Sequence, residues 1–284
     1  RVDLWKPMFA EYWGLPSQTP KRPFLLVVSN MTYANYIMPF SNIIKRERER
    51  GHYERDPELF LKNFGVASEN YRTTGEFIEA IKYLAKNNNN FDIVLRPHQN
   101  EDIQTWKIYL EGTQNVHVIR QGSISAWVKN AFAVMHNGCT TALETTVYGK
   151  PLVTYVPYKQ NHGNELSNEL GHRIENKEDL LQKINTLFDD KENNKNEDLN
   201  KSLPEQVSKK IYIDNNELAA EKIVKIWEGL ADTKPGLSRS SNWTMYKLLL
   251  KAMKFNGIVG RMIRNLSKGR LDFKNDNFKF PPLN

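Results

Sequence analysis

The chain is 284 residues long, 39% hydrophobic and 26% charged, enough to bury a core as one large or two modest globular domains. Its single cysteine excludes an internal disulfide framework and cysteine-rich zinc sites and fits a reducing compartment, and no apolar run reaches the length of about 18 residues that spans a membrane. Residues 241–284 hold nine lysines and arginines against two acids, which accounts for the whole net charge of +7 and leaves the first 240 residues neutral; a nucleic-acid binder would spread its basic surface over the folded module, so nucleic acid is not an expected partner.

The first residue is an arginine with no signal-peptide pattern behind it, as expected of a fragment or a processed product. Residues 23–29 (PFLLVVS) have the length and β-branched content of a buried strand. Residues 30–35 are turn-like, an apolar-periodic segment starts at Tyr36, and residues 46–56 (RERERGHYERD) read as a solvated helix end or loop. A helix is expected over 76–84, with Phe77, Ile78, Ile81 and Leu84 on one face, and FDIVLRP (91–97) gives a second strand. The alternation continues: a helix over 101–110, a strand in NVHVIR, a short helix over 123–129, a strand in AFAVMH, a helix over 140–148 and a strand in PLVTYV. A further helix is expected over 175–188 with Asn176 as its N-cap, then a charged linker over 189–204 and a last helix over 215–230. Strands alternating with short helices predict an α/β fold, a parallel sheet with helices on both faces.

In such a sheet, ligands sit beyond the carboxyl ends of the strands, where helix N-termini point free N–H groups. Four segments place polar residues at that edge: Ser29 to Thr32, Arg96 to Gln99, Arg120 to Ser123, and His136 to Thr141. In the last, Gly138 allows close backbone approach, Thr140 and Thr141 add hydroxyls to a helix start that favours an anion, and Glu144 stands one turn on. Each has a plainer reading: Asn137 as an N-cap with Thr140 and Thr141 in the first turn, His98 as a strand end, Ser29 and Asn30 as turn formers. Cys139 lacks a nucleophile's partners and reads as a packing residue, and His117 as packed in or beside the sheet. There is no P-loop, no GxGxxG after the first strand and no metal-spaced His/Asp cluster, so no metal site is expected.

RPH after a strand, NVHVIRQGSISAWV (115–128), HNGCTTALETTVYGKPLVTYVP (136–157) and GNELS (163–167), in that order, resemble the bacterial surface carbohydrate biosynthesis protein family, whose members are similar to GT-B glycosyltransferases. The likeness runs from RVDLWKP at the start, which resembles that family's interdomain junction, to about residue 230. It implies a Rossmann-like sheet of the GT-B C-terminal domain type. The organisation would be a junction segment over 1–22, a nucleotide-sugar-binding domain over 23–230 and a basic helical tail over 231–284. By the same resemblance, Gly138, Thr140 and Thr141 hold donor phosphate, Glu144 meets the ribose, and Ser29 and Asn30 lie near the phosphates. Arg96-Pro97-His98 looks like the His-Pro element of GT-B sialyl- and Kdo-transferases, whose histidine contacts a CMP phosphate; Gln99 stands where that element has proline.

The function implied is the donor-binding portion of a metal-independent glycosyltransferase in bacterial surface polysaccharide biosynthesis, with a nucleotide-sugar, CMP-linked by the His98 likeness, as substrate and no cofactor. Its acceptor would be a glycan or a lipid-linked glycan. A GT-B-like nucleotide-sugar epimerase and a non-catalytic nucleotide-sugar-binding scaffold are the alternatives. A GT-B enzyme carries its acceptor site, and often its base, on an N-terminal half. The expectation is therefore that this segment alone binds nucleotide and transfers sugar poorly. In the tail, Tyr246, Leu249, Leu250 and Met253, then Ile258, Met262, Ile263 and Leu266, recur at helical spacing between basic residues. That pattern suits a basic amphipathic helix, either touching the inner face of the cytoplasmic membrane through 242–270 or packing across the GT-B body. The location expected is cytoplasmic.

Overall fold

The computed structural model describes residues 14–161, 165–192, 209 and 217–232. The expected junction motif at residues 1–7, part of GNELS, most of the 189–204 linker and the basic tail over 242–270 lie outside the described residues. Contacts divide the chain into one compact unit up to Ala220 and another from Glu221.

The first unit is built on six strands: β1 (Phe24–Val28), β2 (Asp92–Arg96), β3 (Val116–Val118), β4 (Ala133–His136), β5 (Leu152–Tyr155) and β6 (His172–Ile174). They form one sheet in the order β3-β2-β1-β4-β5-β6, parallel throughout. This is the expected Rossmann-like fold class, with helices on both faces. Burial on both faces explains why the central strands read as unbroken apolar runs rather than alternating ones.

Successive strand residues feed two cores. Leu25, Val27, Ile93, Leu95, Met135 and Val153 face one side. There they pack against Phe77, Ile81 and Leu84 of α3 (Leu59–Lys86), Trp106 of α4 (Ile103–Tyr109), and Leu180 and Ile184 of α8 (Lys177–Glu192). Leu26, Val28, Val94 and Val134 face the other side, against Trp127 and Val128 of α5 (Ile124–Asn130) and Ala142 and Leu143 of α6 (Thr141–Val147). Asn176 caps α8 as expected, its Oδ1 accepting from the Asp179 N–H at 2.8 Å.

Several elements exceed the sequence expectation. The helix expected over 76–84 runs through all of Leu59–Lys86, 28 residues. Upstream of it, α1 (Phe40–Glu49) and α2 (His52–Arg55) divide the charged stretch at Gly51, whose φ of 66° ends one helix and begins the next. The short α7 (Glu165–Asn168) and edge strand β6 had no sequence signal. The helix α9 (Ala219–Asp232), whose residues from Glu221 on belong to the second unit, exposes Ile223, Ile226, Trp227 and Leu230.

Gly171 leads into β6 with φ of 75°, and a Cβ built there would meet the Leu152 carbonyl oxygen at 2.4 Å. Both the left-handed backbone and the close approach demand glycine. Gly171→Ala is expected to cost about 2–4 kcal/mol of stability from combined strain and overpacking; a denaturant midpoint equal to that of the wild type would refute this close approach.

Candidate functional site

Strand order reverses between β1 and β4: the chain moves from β1 outward to β2 and β3, then returns to β4 on the other side. Connections after these two strands leave in opposite directions, which opens a crevice at their carboxyl ends. The register sets Arg96, Val28, His136 and Thr154 in one row across the exits of β2, β1, β4 and β5. A cleft of about 180 Å³ lies there, lined by Asn30 and Tyr33 after β1, Glu69, Asn70 and Thr73 of α3, Asn137 and Gly138 after β4, and Gln160 after β5.

Asn30 and Gly138 meet directly across the reversal. The Asn30 Nδ2 donates to the Gly138 carbonyl at 3.1 Å, and the Gly138 N–H donates to Asn168 Oδ1 at 2.7 Å. Gly138 has φ of 63°, so the turn out of β4 uses the left-handed region. Asn137 is not the cap of α6. Its Nδ2 donates to the Tyr155 carbonyl at 2.8 Å, and the N-cap position falls on Thr140, without a side-chain capping bond. Thr140 is exposed, while Thr141 is buried and its Oγ1 accepts from the Cys139 thiol at 3.3 Å. Burial raises the Cys139 pKa above its ordinary value, as suits a packing residue.

Glu144 is buried on α6, and its Oε1 accepts from the Ser125 hydroxyl of α5 at 3.1 Å. Arg96 is half-buried and holds the connection after β3, its Nη1 donating to the Gln121 carbonyl at 2.7 Å and its Nη2 to the Gly122 carbonyl at 2.5 Å. Burial, then repulsion from Arg120, lowers the Arg96 pKa to about 10, while the Glu144 carboxylate acts in the other direction. His98 is exposed, with its Nδ1 accepting from the Asn100 N–H at 3.2 Å.

Ser29 faces inward, away from the cleft, and leads to a residue with no sequence signal of its own. Its hydroxyl donates at 2.6 Å to Glu101, a carboxylate with no solvent exposure, which also accepts from the Met31 N–H at 2.8 Å and the Trp106 Nε1–H at 2.6 Å. Burial raises the Glu101 pKa, and these three donors oppose the rise. The Arg120 Nη2 donates to the Glu101 backbone carbonyl at 2.5 Å. Glu101 therefore ties the exits of β1, β2 and β3 together and sets the loop that carries Asn30.

The far wall was equally hidden. The Thr73 and Tyr158 hydroxyls lie 2.6 Å apart and each 2.7 Å from the Glu69 carbonyl oxygen, so their two protons serve three close contacts, and Gln160 donates to Thr73 at 3.0 Å. The Arg72 guanidinium stacks on Tyr158 at 3.9 Å from the ring centroid. These bonds hold the stretch after β5 along α3. The clearest signal for them is the polar step Glu69-Asn70 and Thr73-Thr74 within an otherwise mixed helix.

His136, at the end of β4, is fully buried. The one hydroxyl proton of Thr154 goes to the Leu170 carbonyl, so Thr154 Oγ1 accepts from His136 Nε2–H at 2.8 Å. The Nδ1 lone pair then has no hydrogen-bond partner among the described residues. Burial lowers the His136 pKa to about 3, which keeps the imidazole neutral. No cluster of histidine, cysteine or acid that could hold a metal occurs among the described residues, nor is any described helix long and apolar enough to cross a membrane.

No protein-family model matches the chain, and no curated protein does. Solved structures similar to it include the Methanocaldococcus jannaschii UDP-GlcNAc 2-epimerase in complex with UDP-GlcNAc and UDP, at 13% identity over 80% of this chain and 52% of that one, with a TM-score of 0.42. Others are the S. aureus MnaA–UDP co-structure, at 12% identity over 67% and 43% with a TM-score of 0.36, and the E. coli ADP-heptose LPS heptosyltransferase II, at 12% over 62% and 49% with 0.37. The chain spans about half the length of these structures.

Two outcomes test this geometry. Glu101→Gln turns a group that accepts three hydrogen bonds into one that also presents donors, and should cost about 2–3 kcal/mol in denaturant unfolding; a cost no greater than a surface substitution would disprove the three-way junction. His136 takes up its proton near the ordinary value of 6.5 when unfolded but only at about 3 when folded. Its contribution to stability is thus undiminished above pH 6.5 and falls by about 1.4 kcal/mol per pH unit on acidification towards 3. Thermal melts of His136→Gln over pH 4.5–7.5 should show a shallower acid limb than wild type, and parallel curves would count against the assignment.

Proposed function

We propose that the first unit is a nucleotide-sugar-binding domain of the GT-B type, acting in the assembly of a bacterial surface polysaccharide. One observation carries the proposal: the cleft opens where the strand order reverses, between Asn30 and Gly138, the position at which an open parallel sheet binds nucleotides. Asn137 and Gly138, from the HNGCTTALE segment on which the family resemblance rests, line that crevice. In this reading the donor phosphates approach the turn at Gly138 and the hydroxyls of Thr140 and Thr141. Asn30 and Ser29 supply the opposite lip, the first by contact and the second through Glu101. Arg96 and His98 add positive charge or hydrogen bonding at the β2 exit, which stabilises a departing nucleotide phosphate. Glu144, buried against Ser125, supports the floor below the ribose.

The acceptor would be a glycan or lipid-linked glycan presented by another part of the enzyme, and the basic residues of 242–270 would bring the protein to the inner face of the cytoplasmic membrane. Transfer of the sugar then needs a second domain closing on the cleft, because catalysis of this kind is positioning of two substrates.

The test is a thermal-shift and calorimetric panel of CMP, UDP, GDP and their sugars against wild type, Asn30→Ala and His98→Ala. At about one hundred times its dissociation constant, a true donor should raise Tm by roughly 5–10 °C. Asn30→Ala should lower the affinity about tenfold, the usual scale for one directed hydrogen bond. If none of the nucleotides stabilises the wild type, the reading fails; a preference for CMP that disappears in His98→Ala would identify the nucleotide.

A further inference from the structure

Two arginines at the exits of adjacent strands have exchanged loops. Arg96, on β2, reaches forward to the carbonyls of Gln121 and Gly122 in the connection after β3. Arg120, just after β3, reaches back to the carbonyls of Glu101 and, at 3.3 Å, Gln99 in the connection after β2. Each guanidinium braces the loop that the other arginine leads into.

Every hydrogen-bond partner of the brace among the described residues is a neutral carbonyl. No carboxylate pairs with either guanidinium among the described residues, and Arg120 Nε is buried without a hydrogen bond. The Glu101 carboxylate accepts from Ser29, Met31 and Trp106, and Glu144, which accepts from Ser125, attracts Arg96 without a direct ion pair between them. Burial first and then the like charge of Arg120 lower the Arg96 pKa, and the Glu144 carboxylate offsets this only in part, so the two guanidiniums still repel unless a further anion joins them. A fold that needed only a loop brace could use one guanidinium, or an arginine with a carboxylate. The forked, permanently charged guanidinium is also the group best matched to phosphate oxygens.

We propose that Arg96 and Arg120 form a subsite for a phosphate-class anion carrying two negative charges, at the exits of β2 and β3 beside the cleft. Each arginine keeps its carbonyl contacts and turns its remaining N–H groups to the anion, so binding fixes the two loops and removes the repulsion together. The anion is either a phosphoryl group of the nucleotide ligand or free phosphate. The first source rests on the function proposed above; the subsite itself does not. Arg120 is the residue that this adds to the site, since nothing in the likeness to GT-B enzymes singled it out.

The test uses the full chain at constant ionic strength with inorganic pyrophosphate, inorganic phosphate, a nucleoside diphosphate and chloride. Pyrophosphate should raise the wild-type Tm by about 3–5 °C over chloride, and Arg120→Gln should lose most of that rise. Hydrogen exchange on the wild type gives a second reading that needs no variant: pyrophosphate should slow exchange in residues 97–102 and 120–124. Equal stabilisation of wild type and Arg120→Gln would assign the anion to the basic tail and overturn the subsite, as would unchanged exchange in both loops. Pyrophosphate stabilisation that depends on Arg120, with no nucleotide bound, keeps the subsite and removes the nucleotide reading. Nucleotide binding undiminished in Arg120→Gln, with no pyrophosphate effect, does the reverse.

Discussion

The carboxyl edge of this sheet depends on one buried carboxylate. Glu101 has no solvent exposure, yet three donors converge on its two oxygens: a hydroxyl and a backbone N–H from the loop after β1, and an indole from α4. A buried carboxylate is costly unless each such bond is made, so the three are conditions on one another. Its backbone carbonyl draws in Arg120 from the exit of β3. Three strand exits are thereby fixed to one residue, two of them through its carboxylate and backbone carbonyl, and Asn30 leaves β1 in a direction set by a buried side chain.

On the other side of the strand-order reversal the connections are held by amides and hydroxyls rather than by charge. Asn137 bonds the end of β5, Asn168 bonds Gly138, and Tyr158 with Gln160 fastens the chain after β5 to α3. The connections on the two sides of the reversal are thus held differently: by a charged brace of Arg96, Arg120 and Glu101 towards β3, and by a neutral network towards β5.

How much of this was legible follows from where each residue finds its partners. The central strands announced themselves because they are buried on both faces and must be apolar throughout, as in FLLVV and AFAVM. Asn176 was legible as a cap because capping is local. The segment 59–75 of α3 was not, because Phe60, Leu61 and Phe64 are partly or largely exposed and no apolar stripe faces a core there. Edge strand β6 is three residues long with exposed His172 and Arg173, and it pairs with β5 through a short backbone ladder. Glu101 looked like a first-turn acid ahead of a helix; its burial is decided by Ser29, 72 positions away. Asn137 was read as a possible cap, but the left-handed turn at Gly138 moves the cap to Thr140 and frees Asn137 for Tyr155.

The turn at Gly138 has both of its backbone groups engaged inside the protein, the N–H by Asn168 and the carbonyl by Asn30. A glycine there gives an incoming group room, but room is different from an idle donor. Any anion that takes the Gly138 N–H must first displace the Asn168 amide oxygen, so occupancy of the turn and attachment of α7 are mutually exclusive at that atom. Binding through that N–H would therefore be an exchange reaction, in which the ligand gains the bond only as the helix beyond β5 gives it up.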